Sequence, residues 1–249
     1  MEKAEPYKIT PEFTEYINKN FVLVYGGKEG EARKKAGEIE FIDHNYYVGK
    51  YEFTQEEYEA IVGKIDGDIK EYNRGKRFPM VGIADFEIKE FCNKLNKKYG
   101  LPKSYDRNGR LLDKNGNVTN DNSIVVGFRL LSQGEWEFAA GGGIKSKGYI
   151  YSGSNNVNEV GWINEKSGDK LHEVGLKKPN ELGIYDMTGN VWEYTDDKDG
   201  NWPIIKGGGC APMSDDKKYW EEEVKIKNSS RGFNSNITGI RLGITKINK

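Results

Sequence analysis

The sequence predicts a single α+β domain with two main helices, mixed short strands and much irregular loop. Three observations carry this. Gly at 31 and Tyr at 15, against only 36% hydrophobic residues, imply a turn-rich chain held by aromatic packing rather than a helical bundle. Two stretches show helical periodicity with readable start signals, while apolar runs elsewhere are short and β-rich. No Pro/Ser-rich linker interrupts the 249 residues, a length that buries one sizeable core.

Residues 1–20 are polar and read as a frayed or packed arm. Phe21 to Tyr25 and Ile39 to Ile42 read as a hairpin with a long charged loop, and Tyr46 to Phe53 as the next strand. In Thr54-Gln55-Glu56-Glu57 the Thr and Glu side chains are spaced to cap each other's backbone N–H groups, opening a short helix to about Val62. Ile65 to Met80 is charged and reads as a surface loop. The clearest helix follows, with Ala84, Ile88, Phe91, Cys92, Leu95 and Tyr99 on one apolar stripe and Gly100 and Pro102 as the stop. Cys92 lies on that stripe and reads as a buried thiol.

Asn108-Gly109 and Asn115-Gly116 call for tight turns in an exposed hairpin insertion. After a strand from Ile124 to Leu130, Ser132-Gln133-Gly134-Glu135 forms a second capping box and starts a helix that ends at Gly141 to Gly143, with Trp136 in the core. Tyr149 to Glu173 has no regular period. Asn180 to Glu193 (NELGIYDMTGNVWE) has neither a 3.6 nor a 2.0 period and reads as a segment turning repeatedly inside the core. Within it, Asp186, Gly189, Val191 and Glu193 are spaced so that two carboxylates and two backbone carbonyls could converge on one hard cation; the same acids could equally cap turns. The closing strand is ITGIRLGITKI.

The balance of 38 Lys plus Arg against 39 Asp plus Glu gives no field that seeks a polyanion, which argues against nucleic acid as a partner. Two cysteines make at most one bridge, and no run approaches the ~20 apolar residues that span a bilayer. The start, MEKAEPYKIT, shows neither a signal pattern nor a lipidation cysteine and at face value reads as cytoplasmic.

Four stretches in order, FRLLSQGEWEFAAGGG (128–143), NELGIYDMTGNVWE (180–193), IIKGGG (204–209) and GIRLG (239–243), resemble the formylglycine-generating enzymes, also called sulfatase-modifying factors. The resemblance begins near Ile39. It implies a C-type-lectin-like fold, with an N-terminal arm and first strand over 1–38 and one domain over 39–249. It also implies structural Ca2+ on Asp186, Gly189, Val191 and Glu193, and a second calcium near Asn158, Asp169 and Leu171. The family's oxidases use a C-x-x-x-x-C pair after the Gly-Gly motif to hold copper. Here those places fall near Pro212 and Lys217, which cannot bind a soft metal. An iron-dependent branch needs three histidines, and the chain has only His44 and His172. No catalytic cofactor is expected, and a sulfatase-type maturation oxidase, converting cysteine to formylglycine, is the alternative.

The C-terminal part, about 195–245, looks like the variable proteins of diversity-generating retroelements, including the treponemal variable-protein type. Trp192, Lys206 to Gly209, Arg231, Gly239 and Arg241 fit the family's framework. Asp199, Asn201, Trp202, Cys210, Ala211, Met213, Ser214, Phe233, Asn234, Ser235 and Asn236 are the expected ligand-contacting, variable positions, on exposed loops over a rigid base. Cys210 is expected to be an exposed, sampled residue. Trp202, Phe233 and Tyr219 or Trp220 would be aromatic anchors. The expected partner is a protein or other macromolecule, the chain a monomer, and a cell-surface lipoprotein is what the resemblance implies for location.

Overall fold

The computed structural model describes residues 7, 9–27, 42–65, 73–163, 167–211, 219–232 and 237–246. Helix α1 (Pro11–Asn20) replaces the expected arm: Thr10 accepts from the Phe13 N–H at 3.1 Å, Pro11 fixes the first turn, and Phe13 and Ile17 are buried on one helical face. Strand β1 (Phe21–Val24) pairs antiparallel with β2 (Tyr46–Gly49), so β2 is shorter than the sequence suggested. The expected return strand at residues 39–41 lies outside the described residues, and β1 takes β2 as its partner.

Both capping boxes form as read. Thr54 and Glu57 cap each other at the head of α2 (Gln55–Val62), and α3 (Asp85–Lys98) buries Ile88, Phe91, Cys92 and Leu95 before Gly100 turns the chain at φ +67°. The region from Ile124 to Leu130 is a correction. Asp121 caps a 3-10 turn over Asn122–Ile124 through the Ser123 N–H, and only Arg129–Leu130 pair as β3. A side-chain bond to a nearby backbone N–H has displaced ladder pairing there. Ser132 and Glu135 open α4 (Gln133–Ala140), in which Trp136 is fully buried. A short α5 (Val157–Val160) lies in the segment read as irregular.

The chain then forms β4 (Trp192–Asp199), β5 (Trp202–Lys206), α6 (Trp220–Glu223), β6 (Ser229–Arg231), β7 (Thr238–Gly239) and β8 (Leu242–Thr245). One sheet runs β1-β2-β8-β3 and the other β6-β5-β4-β7, with only β4 and β7 parallel. This is a mixed helix-and-strand domain to which the C-type-lectin-like fold fits.

The four resembling stretches meet inside it. Arg129 grips Glu135 with two bonds of 2.7 Å, and Glu135 also accepts from the Ser132 N–H and lies 2.8 Å from His44 Nε2. Burial alone would raise Glu135, but the guanidinium and these hydrogen bonds hold it well below the usual carboxylate range. One residue on, Trp136 Nε1 donates to Glu193 at 2.6 Å, and Glu137 accepts from the buried Lys206 Nζ at 2.8 Å. Arg241 closes the set: it donates to both Glu193 oxygens at 2.7–3.0 Å, to Gly49 O at 2.8 Å and to Tyr185 O at 2.9 Å. Helix α4 and both sheets are therefore tied through buried charge pairs whose hydrogen bonds are largely made.

Candidate binding site

The β4–β5 hairpin carries the candidate site. Its feet are in the core, where Tyr194 and Ile205 are buried, and its tip is in solvent. The register slips between Tyr194 and Lys198, and Gly200, at φ +61°, turns the tip so that Asp199 faces Trp202. Trp202 is 52% exposed. Asp199 Oδ2 accepts from Arg231 Nε at 2.8 Å, a pair so exposed that it contributes little, on the order of 0–1 kcal/mol. The shaft is braced: buried Lys89 lies 3.3 Å from Asp85 and 3.4 Å from Asp196, and burial raises the Asp196 carboxyl to about 6.

Of the expected contact positions, Asp199, Asn201 and Trp202 come together at this tip. Cys210 and Ala211 do not join them. They lie beside the start of β4, where the Cys210 N–H donates to Asn190 O at 2.7 Å and Cys210 O accepts from Ser167 Oγ at 2.7 Å. The eight residues of β4 separate the two groups by roughly 23 Å at ~3.3 Å per residue. Cys210 is also only 1% exposed, which corrects the expectation of an exposed residue. Backbone bonds from two distant segments draw it inward. Burial pushes its thiol up to about 12, the behaviour of a structural buried cysteine rather than of an activated nucleophile. Met213, Ser214, Phe233, Asn234, Ser235 and Asn236 lie outside the described residues.

Two clefts flank the hairpin. One, of about 710 Å³, is lined by His44, Asp121, Gln133, Asp196 and Asp197. The other, of about 500 Å³, has Trp192, Tyr219, Glu222, Ser229 and Ser230 among its walls. Of the expected aromatic anchors, Tyr219 stands in the wall of the second cleft, while Asn228, Ser229 and Ser230 were not expected there. The signal that could have placed them was a hydroxyl-rich run next to an aromatic pair.

Of the residues expected to hold calcium, Glu193 is fully engaged, whereas Asp186 keeps one buried oxygen, Oδ1, without a hydrogen-bond partner. Both oxygens of Glu193 are taken by Arg241, with Trp136 sharing one, so the positive charge this carboxylate needs is already a guanidinium. Asp186, held at φ +56°, accepts the Gly175 N–H at 2.6 Å, and burial raises its carboxyl to about 6. A cation here would draw on Asp186 Oδ1 and on the carbonyls of Gly189 and Val191, while Glu193 already serves Arg241. Among the described residues no three His, Cys, Asp or Glu side chains converge on a point. At the second expected position, Asn158 O takes Lys177 Nζ at 2.8 Å. Calcium at these residues predicts that a chelator lowers the melting temperature and that added Ca2+ restores it; an unchanged melting temperature counts against the ion.

Residues 9–245 match the family profile described as "Sulfatase-modifying factor enzyme 1-like domain". "Chaperone protein LppX" of Paenibacillus barcinonensis is 32% identical over 225 residues, covering 78% of this chain and 79% of that protein. "Inactive C-alpha-formylglycine-generating enzyme 2" of Bos taurus is 31% identical over 103 residues, 36% of this chain and 34% of that protein. Among solved structures, "Treponema denticola variable protein 1" superposes with TM-score 0.64 at 22% identity, covering 91% of this chain and 95% of that one. "Crystal Structure of CarF" gives TM-score 0.70 at 22% identity, covering 92% and 98%. At these identities the structural likenesses establish the fold. Among the described residues no helix is long and apolar enough to cross a membrane.

Proposed function

Because the chain belongs to the sulfatase-modifying factor family, we propose that it is a non-catalytic member that binds a protein ligand through the tip of the β4–β5 hairpin and the loops around it, and that those loops are diversified by a retroelement. The observation that carries this reading is a half-exposed tryptophan, Trp202, on a hairpin whose base is fixed in the core. Each side chain frozen on binding costs about 0.5–1.5 kcal/mol, so a rigid base keeps the remaining cost low. A solvent-facing indole beside an adaptable Asp and Asn suits a central anchor. Relatives named as inactive and a variable protein among the structural neighbours support it further. Placement at the cell surface belongs to the same reading.

The oxidase alternative gains nothing from Cys210, a buried thiol held protonated. A library randomised at Asp199, Asn201 and Trp202 should melt within about 6 °C of the parent, since exposed positions shift stability by only about ±0.5 kcal/mol each. It should also yield binders to an arbitrary folded target such as lysozyme. Loss of cooperative unfolding in most members would sink the proposal. Diversification itself is tested in DNA: a near-copy of the gene's 3′ part, differing where the copy has adenine, is expected nearby.

The relative named as a chaperone favours a second reading, in which the same face holds unfolded clients. Suppression of aggregation of a heat-denatured enzyme by the wild type, lost in Trp202→Ala, would favour that reading over the first.

A further inference from the structure

Lys89 on α3 is buried between two acids. Its Nζ lies 3.3 Å from Asp85 Oδ2, one turn back on the same helix, and 3.4 Å from Asp196 Oδ1 on the shaft of the hairpin. Lys206, also buried, meets Glu137 at 2.8 Å in an ordinary charge-assisted hydrogen bond. The contacts of Lys89 are of another kind. Asp85 Oδ1 and Asp196 Oδ1 are both buried without a hydrogen-bond partner, so the amine is crowded by two carboxyl groups and satisfies neither fully. The surroundings are dry. The Tyr105 ring centroid is 5.4 Å from Nζ, the Tyr105 hydroxyl hydrogen-bonds the Asp196 carboxyl, and the buried Cys92 thiol feels the charges of both Asp196 and Lys89.

Three parts of an amide-forming site are thereby assembled: an amine, a carboxyl carbon and a second carboxylate to carry protons. The two acids differ in what else they meet. Asp85 also stands 3.8 Å from Lys198, so it sits between two ammonium groups and is placed to act as the base. Asp196 carries the Tyr105 hydroxyl, and burial works against its anion, which suits the carboxyl that is attacked. Joining Lys89 to Asp196 replaces two buried charges by one neutral amide and so removes the cost of keeping them out of water. Holding the reacting groups in contact makes the step effectively unimolecular. Asp196 also lines the 710 Å³ cleft, through which a released water can leave.

We propose that Lys89 and Asp196 form an intramolecular isopeptide bond that fastens α3 to the shaft of the β4–β5 hairpin. One ammonium proton passes to the Asp196 carboxylate. Nζ then attacks Cγ, Asp85 takes a second proton and returns it to the departing hydroxyl, and the C–O bond breaks to release water. The nitrogen keeps its third hydrogen, and no oxidant or cofactor enters. The bond goes beyond the binding reading and stands apart from it, since it concerns the base of the hairpin and not what the tip holds. The test is mass spectrometry of the full chain, denatured after folding and incubation at neutral pH. Wild type is expected to be lighter than its sequence mass by one water, and its tryptic digest to contain a branched peptide joining the segments around Lys89 and Asp196. Asp196→Asn is expected to give the same branched peptide by losing ammonia, whereas Lys89→Arg and Asp196→Ala give none. Asp85→Ala is expected to slow the link about a hundredfold, the usual worth of a positioned base. Full sequence mass in cooperatively folded wild type overturns the proposal whether or not the variants fold. A lost water with both peptides linear, the mark of a succinimide, overturns it too, as does a link that forms as fast in Asp85→Ala.

Discussion

Arg241→Ala is expected to lower the melting temperature by roughly 6–20 °C. Removing the guanidinium strands Glu193 as an uncompensated charge with no exposure, which costs about 3–5 kcal/mol. It also leaves Gly49 O and Tyr185 O without their donor. Each kcal/mol is worth about 2–4 °C in a domain of this size. The double variant Arg241→Met with Glu193→Leu should recover much of the loss, because it removes the orphaned charge with the pair. Thermal unfolding of the single variant within 2 °C of wild type would refute the buried network as the element joining the sheets.

The second large effect is at Gly189, where Ala is expected to destabilise by about 3 kcal/mol or more. Its φ is +75°, and a Cβ there would fall 2.2 Å from Trp162 O, a backbone atom that cannot swing aside. Its N–H also donates to Gly207 O at 2.8 Å, so the strain would pass to the glycine tract after β5. Gly183→Ala is the control. Its φ is +83° with nothing within 4 Å of the added carbon, so only the backbone term, about 1–2 kcal/mol, should appear. Urea midpoints that fall equally for both variants would remove the steric part of the argument.

What was legible in the sequence was what short range determines. Thr54 with Glu57, and Ser132 with Glu135, are three residues apart and form their boxes as read, and Cys92 sits on its stripe. Helix α1 was hidden because its apolar face is only two residues, Phe13 and Ile17, set among charges. The family resemblance located the core motifs, yet their pairing was not readable: Glu193 and Arg241 are 48 residues apart, and spacing alone left Glu193 free for a cation. Cys210 was misplaced for the same reason, since Asn190 and Ser167, which hold it, lie elsewhere in the chain. Asp199 and Asn201 were singled out because they fit no framework position and Trp202 as an aromatic anchor, and the structure places all three at an exposed hairpin tip.

Strand β8 sits between β2 and β3, pairing Thr245 with Tyr46 and Leu242 with Leu130. The first sheet is thus completed by a strand far along the chain from both of its partners, and such distant pairing is slow to form. Without β8, β2 would keep only β1 as its partner and β3 would have none in that sheet, so the edge of β2 would lie open. Residues 242–245 thereby act as the clasp of that sheet, and changes that weaken them would loosen β3 from the β1–β2 pair while leaving the β4–β5 hairpin as built.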